Sequence, residues 1–250
     1  FEITHALMRD VMYTNIPDDT RKALHKKIAE YFISKYAHEL EEHTNELAYH
    51  YSNSNDPLKA FHYLVKAGDE SHKVYLLNEA QRYYEEAITC FTKNKDLLGD
   101  SYLILIELHY KIGITNQILG KLDVALTSLN EALTISKDRE ISDFVPKIYH
   151  QLSRVFSIKG DYDKAFHYIN DDIAISSFTN NQYYTLEFLH EQANMYRTIR
   201  NSHKALEILE KGLIEVRKLE DKQLLSKYLN NLGNLYIYIY YKKAFIYFKE

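Results

Sequence analysis

The chain has 250 residues, 46% of them hydrophobic, and a formal net charge of −4. That charge is mild and spread out, with no basic stripe, which argues against nucleic acid as a primary partner. Glycine (7) and proline (3) are scarce, no run of eighteen apolar residues exists to span a membrane, and the single cysteine, Cys90, excludes an internal disulfide framework.

Few helix breakers and short amphipathic pieces predict an all-α chain. Cys90 suits a reducing, cytoplasmic setting and is expected to be packed inside a helix bundle. The chain opens on Phe1-Glu-Ile3 with no signal peptide, and it reads as a piece of a longer protein.

Taken in chain order, Ile3, Leu7 and Val11 make a first helical stripe. Pro17 with Asp18 and Asp19 stops that helix and caps the next, whose stripe is Ala23, Leu24, Ile28 and Phe32. The stretch Phe1-x-Ile3-x-His5-Ala6-Leu7, with Val11, Tyr13 and Ile16 and then Arg21, Leu24, His25, Ile28 and Ala29, resembles a segment of large signalling ATPases of the STAND and AAA type. There it ends a winged-helix module after the ATPase core and leads into helical repeats. The runs Glu46-Leu-Ala-Tyr-His-Tyr51, Asp56-Pro-x-Lys-Ala60 and Lys66-Ala-Gly-Asp-Glu70 are similar to the first repeats of that family. The resemblance implies hydrogen-bonded core positions for His5 and His25. It also implies an upstream ATPase, often preceded by a class III adenylate or guanylate cyclase pair, a kinase or a DNA-binding domain.

Between those parts lies His38-Glu39-Leu-Glu-Glu42-His43. On a helix its histidines point about 140° apart, so they do not form the i, i+4 pair a zinc helix needs. His43 and His50 share a face with Glu46 between them, which a solvated polar helix also explains.

From residue 42 onward the pattern repeats. Ala125, Ala165 and Ala205 stand forty residues apart in matching frames that open on Gly120, Gly160 and Arg200. Twelve residues before each alanine is a small residue, Gly113, Ser153 or Ala193, and four after it is Leu129, Ile169 or Leu209. Two antiparallel helices approach closely where one side chain at the crossing is small, and hairpins that cannot bury an apolar face alone stack. These frames resemble the tetratricopeptide repeat. Earlier copies run through Leu47, Ala48 and Tyr51 to Ala60, Leu64 and Ala67, then through Ala80, Tyr84 and Ala87. Ala60 to Ala80 is only twenty residues, so one helix is expected to serve two hairpins. Asp172 and Gly212 depart from the second-alanine slot. A last hairpin is expected from Leu232-Gly233-Asn-Leu-Tyr236 to Ala244, Phe245 and Phe248. The run Tyr236-Ile-Tyr-Ile-Tyr-Tyr241 alternates like a strand but is read as helix.

The expected architecture is a right-handed solenoid of about five or six helix pairs over 41–250, preceded at 1–40 by the end of a winged-helix-like module. No catalytic, cofactor-binding or metal site is read here. Gly113-Ile-Thr-Asn-Gln-Ile-Leu-Gly120-Lys121-Leu122 fails as a phosphate loop, because its glycines are too far apart and Leu122 replaces the hydroxyl residue. The remaining candidate is a peptide-binding groove on the first helix of each hairpin. Its outward positions are Tyr110, Ile114 and Gln117, then Lys147, His150, Gln151 and Arg154, then His190, Asn194 and Arg197, then Lys227, Asn230, Asn231 and Asn234. The chosen set is Gln151, Arg154, His190, Asn194, Arg197, Asn230, Asn231 and Asn234. Asparagine offers a donor and an acceptor to an extended backbone, and arginine meets a carboxylate. Any solvated helix face would carry similar residues. The expected partner is a protein, a peptide or an upstream domain of the same chain. The chain then acts as a non-catalytic regulatory segment of a signalling ATPase, or as a free-standing adaptor.

Overall fold

A computed structural model of the protein describes the backbone of residues 6–178 and 182–247, and the side chains of 10–99, 101–171, 182–239 and 241. The described residues are helical, with no strand among them, and divide into two compact units at Gly120/Lys121.

The first unit holds α1 (Ala6–Thr14), α2 (Asp18–Lys35), α3 (Thr44–Ser52), α4 (Pro57–Lys73), α5 (Leu77–Lys93), the single turn α6 (Lys95–Leu98) and α7 (Tyr102–Ile118). Proline at the first position of α4 costs no hydrogen bond, and the Asp56 carboxylate accepts from the Lys59 amide at 3.3 Å. Helix α4 packs against both α3 and α5, so it does serve two hairpins. Small residues make this possible: Ala48, Ala60, Ala67, Gly68, Ala80 and Ala87 are all buried.

Helix α2 packs on α3, and Ala29, Phe32 and Ile33 join Leu47, Tyr51 and Ala60 in one core. There is thus no break in packing at residue 40. The buried face of α2 is also turned from the expected stripe. His25 and Ala29 are buried while Leu24 and Ile28 are exposed, because α3 meets α2 along the histidine edge; Val11 on α1 is exposed as well. Asp18 does not cap α2; its carboxylate pairs with Arg21 and Lys22 at 2.7 and 2.5 Å. His5, Ile3 and the side chain of Leu7 lie outside the described residues. His38 to His43 form the turn between α2 and α3 rather than a helix, and the His43 ring lies tilted against that of Tyr36, with centroids 4.0 Å apart.

The second unit holds α8 (Leu122–Asp138), α9 (Val145–Lys159), α10 (Tyr162–Phe178), α11 (Gln182–Thr198), α12 (Ser202–Val216) and α13 (Lys222–Tyr247). Helices α9 with α10, and α11 with α12, are the expected hairpins. Ser153, Ala165, Ala193 and Ala205 are buried to 1% exposure or less, which is what the close crossings require. The turns are alike in detail. Gly160 (φ +80°) and Arg200 (φ +62°) both take the left-handed conformation, and Asp161 and Asn201 donate back to Phe156 and Tyr196 at 3.0 and 2.8 Å. The same Asp161 and Asn201 then accept, at 3.2 Å, from the amides of Lys164 and Lys204.

The last copy departs from the hairpin expectation. Helix α13 runs unbroken through Gly233 and the tyrosine-isoleucine run to Tyr247, because no glycine, proline, asparagine or aspartate stands after Asn234 to turn it. Gly233 is not a crossing residue, since a Cβ there would meet nothing within 4 Å. Phe248, and the side chains of Asp172, Ala244 and Phe245, lie outside the described residues.

Candidate functional site

The eight candidate residues all sit on α9, α11 and α13 of the second unit, and α11 packs against both α9 and α13. Arg154, Arg197, Asn230 and Asn234 are exposed, and Asn194 is half-buried. Gln151, His190 and Asn231 are not outward: they are only 3%, 7% and 8% exposed. Counting along one helix does not register that neighbouring first helices close over the middle of that face.

His190 and Asn231 form the joint between α11 and α13. The Asn231 Nδ2 group donates to His190 Nε2 at 2.8 Å and to Asn194 Oδ1 at 2.6 Å, using both of its hydrogens. His190 also bonds the Lys227 backbone, so its acceptor and donor roles are both taken. Burial pushes its pKa below the usual histidine value and keeps it neutral. Beside this joint Lys227 reaches Glu187 at 2.8 Å. Burial opposes the Lys227 charge, but the Glu187 carboxylate outweighs it and holds the pKa above the ordinary lysine value. His150 packs its ring 5.1 Å from Phe188, and burial lowers its pKa as well.

What remains open is a groove of about 200 Å³ between α9 and α11. Met195 and Ile158 give it apolar surface, Ser157 and Thr198 line it, and Arg154, Glu191 and Asn194 bring charge and amide groups. Arg154 and Arg197 have no ion-pair partner among the described residues. Asn194 spends its oxygen on Asn231, leaving its amide donors for a ligand. In the first unit Tyr110, Ile114 and Gln117 are only half-buried on α7.

A larger cleft of about 660 Å³ lies in the first unit, over Tyr51, Pro57, Ala60 and Leu64, with Lys22, Arg82 and Lys93 among its lining. No repeat spacing marks it, because α2, α3, α4 and α5 each contribute part of the wall. Cys90 lines it half-buried rather than fully packed, with its Sγ 3.6 Å from the Pro57 carbonyl. Burial raises the Cys90 pKa, so the thiol stays protonated and is a weak nucleophile.

No family model matches the chain, and no curated protein matches it. Solved structures do. BtubC (BKLC) from P. vanneervenii is 20% identical, covering 83% of each chain with a TM-score of 0.64. A Rap protein complexed with Competence and Sporulation Factor is 17% identical over 95% of this chain and 69% of its own, with a TM-score of 0.62. The nearly identical TPR-like repeats of a Podosopora anserina kinesin-light-chain-type protein are 15% identical over 83% of this chain and all of theirs, with a TM-score of 0.58. At these identities the likeness is one of fold. The class is therefore an all-α array of tetratricopeptide-like hairpins. Nothing in these likenesses supports the ATPase or cyclase context that residues 1–29 resemble. No helix among the described residues is long and apolar enough to cross a membrane.

Proposed function

We propose that the chain is a protein-interaction repeat that holds an extended peptide along the exposed first-helix face of its second unit. The observation that carries this reading is the groove between α9 and α11. It combines a free guanidinium at Arg154, spare amide donors at Asn194 and an apolar floor at Met195. Arg197, Asn230 and Asn234 extend the same exposed polar row. Fixed helices hold these groups in place before binding, which lowers the ordering cost of capture. The likeness in fold to a Rap protein solved with a bound factor supports a binding role for this scaffold.

The finer reading rests on the resemblance of residues 1–29. In it, the partner is an upstream ATPase domain of the same chain, of the kind that accompanies nucleotide cyclases, and the repeats bias that domain by contacting one of its two arrangements more strongly. The coarser reading, a free-standing adaptor, uses the same groove.

The test is to select peptides from a random display library on the whole chain and measure their affinity for the Arg154→Ala, Arg197→Ala double variant. Loss of about a hundredfold or more in affinity, with an unchanged melting temperature, is expected for removal of two guanidinium contacts. Unchanged affinity removes the groove from the account.

A further inference from the structure

We propose that His25 and His50 form an acid-released latch that holds α1 and the first turns of α2 onto α3. His25 is 5% exposed in the middle of α2. Its Nδ1 lies 2.9 Å from Nδ1 of His50 on α3, and its Nε2 lies 2.8 Å from the Tyr13 hydroxyl on α1. Three helices thus meet through one imidazole.

Two Nδ1 atoms at this distance share a single hydrogen. One ring donates and the other accepts, so at least one of the two must be neutral. Adding one proton leaves a cationic donor facing a neutral acceptor, and the contact survives. Adding a second places two N–H groups and two positive charges against each other, and the contact breaks. The latch therefore opens on the second proton, which binds at a lower pH than the first because the first already places a charge on the pair.

The surroundings favour the closed form near neutrality. From α2, Arg21 opposes a charge on His25 after the larger effect of burial. From α3, burial and then the neighbouring His25 oppose a charge on His50, and only the Glu46 carboxylate supports one. Helix α1 contributes Tyr13, whose ring also lies 5.1 Å beneath the Arg21 guanidinium. Tyr49 stands edge-on to His25 at 5.6 Å, and Phe32 lies 6.0 Å from His50 with His43 on its other contact at 5.3 Å. Both histidines have folded pKa values below the ordinary 6.5. The contact is therefore complete above that value and is lost as the pH falls below it.

The opening is local. Lys26 pairs with Asp56 at 3.2 Å, and Ala29, Phe32 and Ile33 stay in the core with Leu47 and Tyr51. Acid frees α1 and the start of α2 while the rest of α2 remains docked.

The experiment records imidazole titrations by NMR and amide hydrogen exchange on the whole chain, at about pH 7.5 and about pH 5. His25 and His50 should titrate below the ordinary value in two separated steps. Exchange across residues 10–25, corrected for its chemical pH dependence, should rise about tenfold or more in acid, with α5 unchanged. In His50→Gln, which keeps an acceptor but cannot take a proton, the acid rise should collapse. Independent titrations at the ordinary value, an unchanged exchange profile, or a full acid response in His50→Gln would each overturn the latch. The wild-type titration decides the matter even if the variant fails to fold.

Discussion

The ring of Tyr228 occupies the space that a side chain on Gly212 would need. A Cβ at Gly212 would lie 2.4 Å from Tyr228 Cε1, and the phenol continues past it to donate to the Leu186 carbonyl at 2.6 Å. One buried tyrosine thereby joins α11, α12 and α13, and it explains why glycine stands where the repeat pattern has alanine. The first unit repeats the arrangement with Gly68 and Tyr84, again at 2.4 Å.

Gly212→Ala should therefore destabilise the second unit. A glycine-to-alanine change inside an open helix gains about 1 kcal/mol from propensity. Overpacking a buried ring costs about 1–3 kcal/mol, and here the ring is tied by its hydroxyl. A net loss of up to about 2 kcal/mol is expected in urea unfolding, and Gly212→Ala should cost less when made in a Tyr228→Leu background. A single variant more stable than wild type would contradict the packing.

Tyr84 makes a second case. Its hydroxyl donates to Asp69 at 2.8 Å, and Lys111 reaches the same carboxylate at 2.7 Å while also pairing with Glu107 at 2.9 Å. Asp69→Ala leaves a buried hydroxyl without its acceptor and should cost about 1–3 kcal/mol. Asp69→Asn keeps an acceptor and should cost less. Equal losses in the two variants would show that the hydrogen bond to Tyr84 is not what matters.

The turns allow a gain. Arg200 adopts φ +62°, where a side chain costs about 1 kcal/mol that glycine avoids, and Gly160 takes the same conformation in the preceding repeat. Arg200→Gly should raise the melting temperature and Gly160→Ala should lower it. The result to look for is opposite signs from the two changes in thermal unfolding.

The hairpin frames and the shared helix at Ala60 to Ala80 were legible in the sequence because they rest on local spacing and on small residues at crossings. The end of the array was not. Gly233 fits the repeat's small-residue slot, yet the helix simply continues, since a slot implies a hairpin only where a turn residue follows. Burial of Gln151, His190 and Asn231 was also hidden, because it depends on how adjacent first helices meet. Periodicity along one helix carries no such information. The Tyr51–Cys90 cleft is tertiary in the same sense.

Acid should weaken the chain as a whole. His150 and His190 have lowered folded pKa values, like the His25–His50 pair, so the unfolded chain binds more protons below the ordinary 6.5. Their contribution to stability is present above that value and is lost as the pH falls toward the folded values. The urea midpoint should drop between about pH 7.5 and about pH 5.5, and His190→Gln should flatten part of that slope. A midpoint that rises in acid would contradict the burial of these rings.

The central claim is where a peptide sits, and the most direct measurement is amide and side-chain NMR mapping of the whole chain with a library-selected peptide. The account predicts perturbations at Arg154, Asn194 and Arg197 that run on toward Asn230 and Asn234, with Cys90 and Pro57 silent. Perturbations gathered around Tyr51, Pro57 and Cys90 instead would place recognition in the first unit's cleft and contradict it.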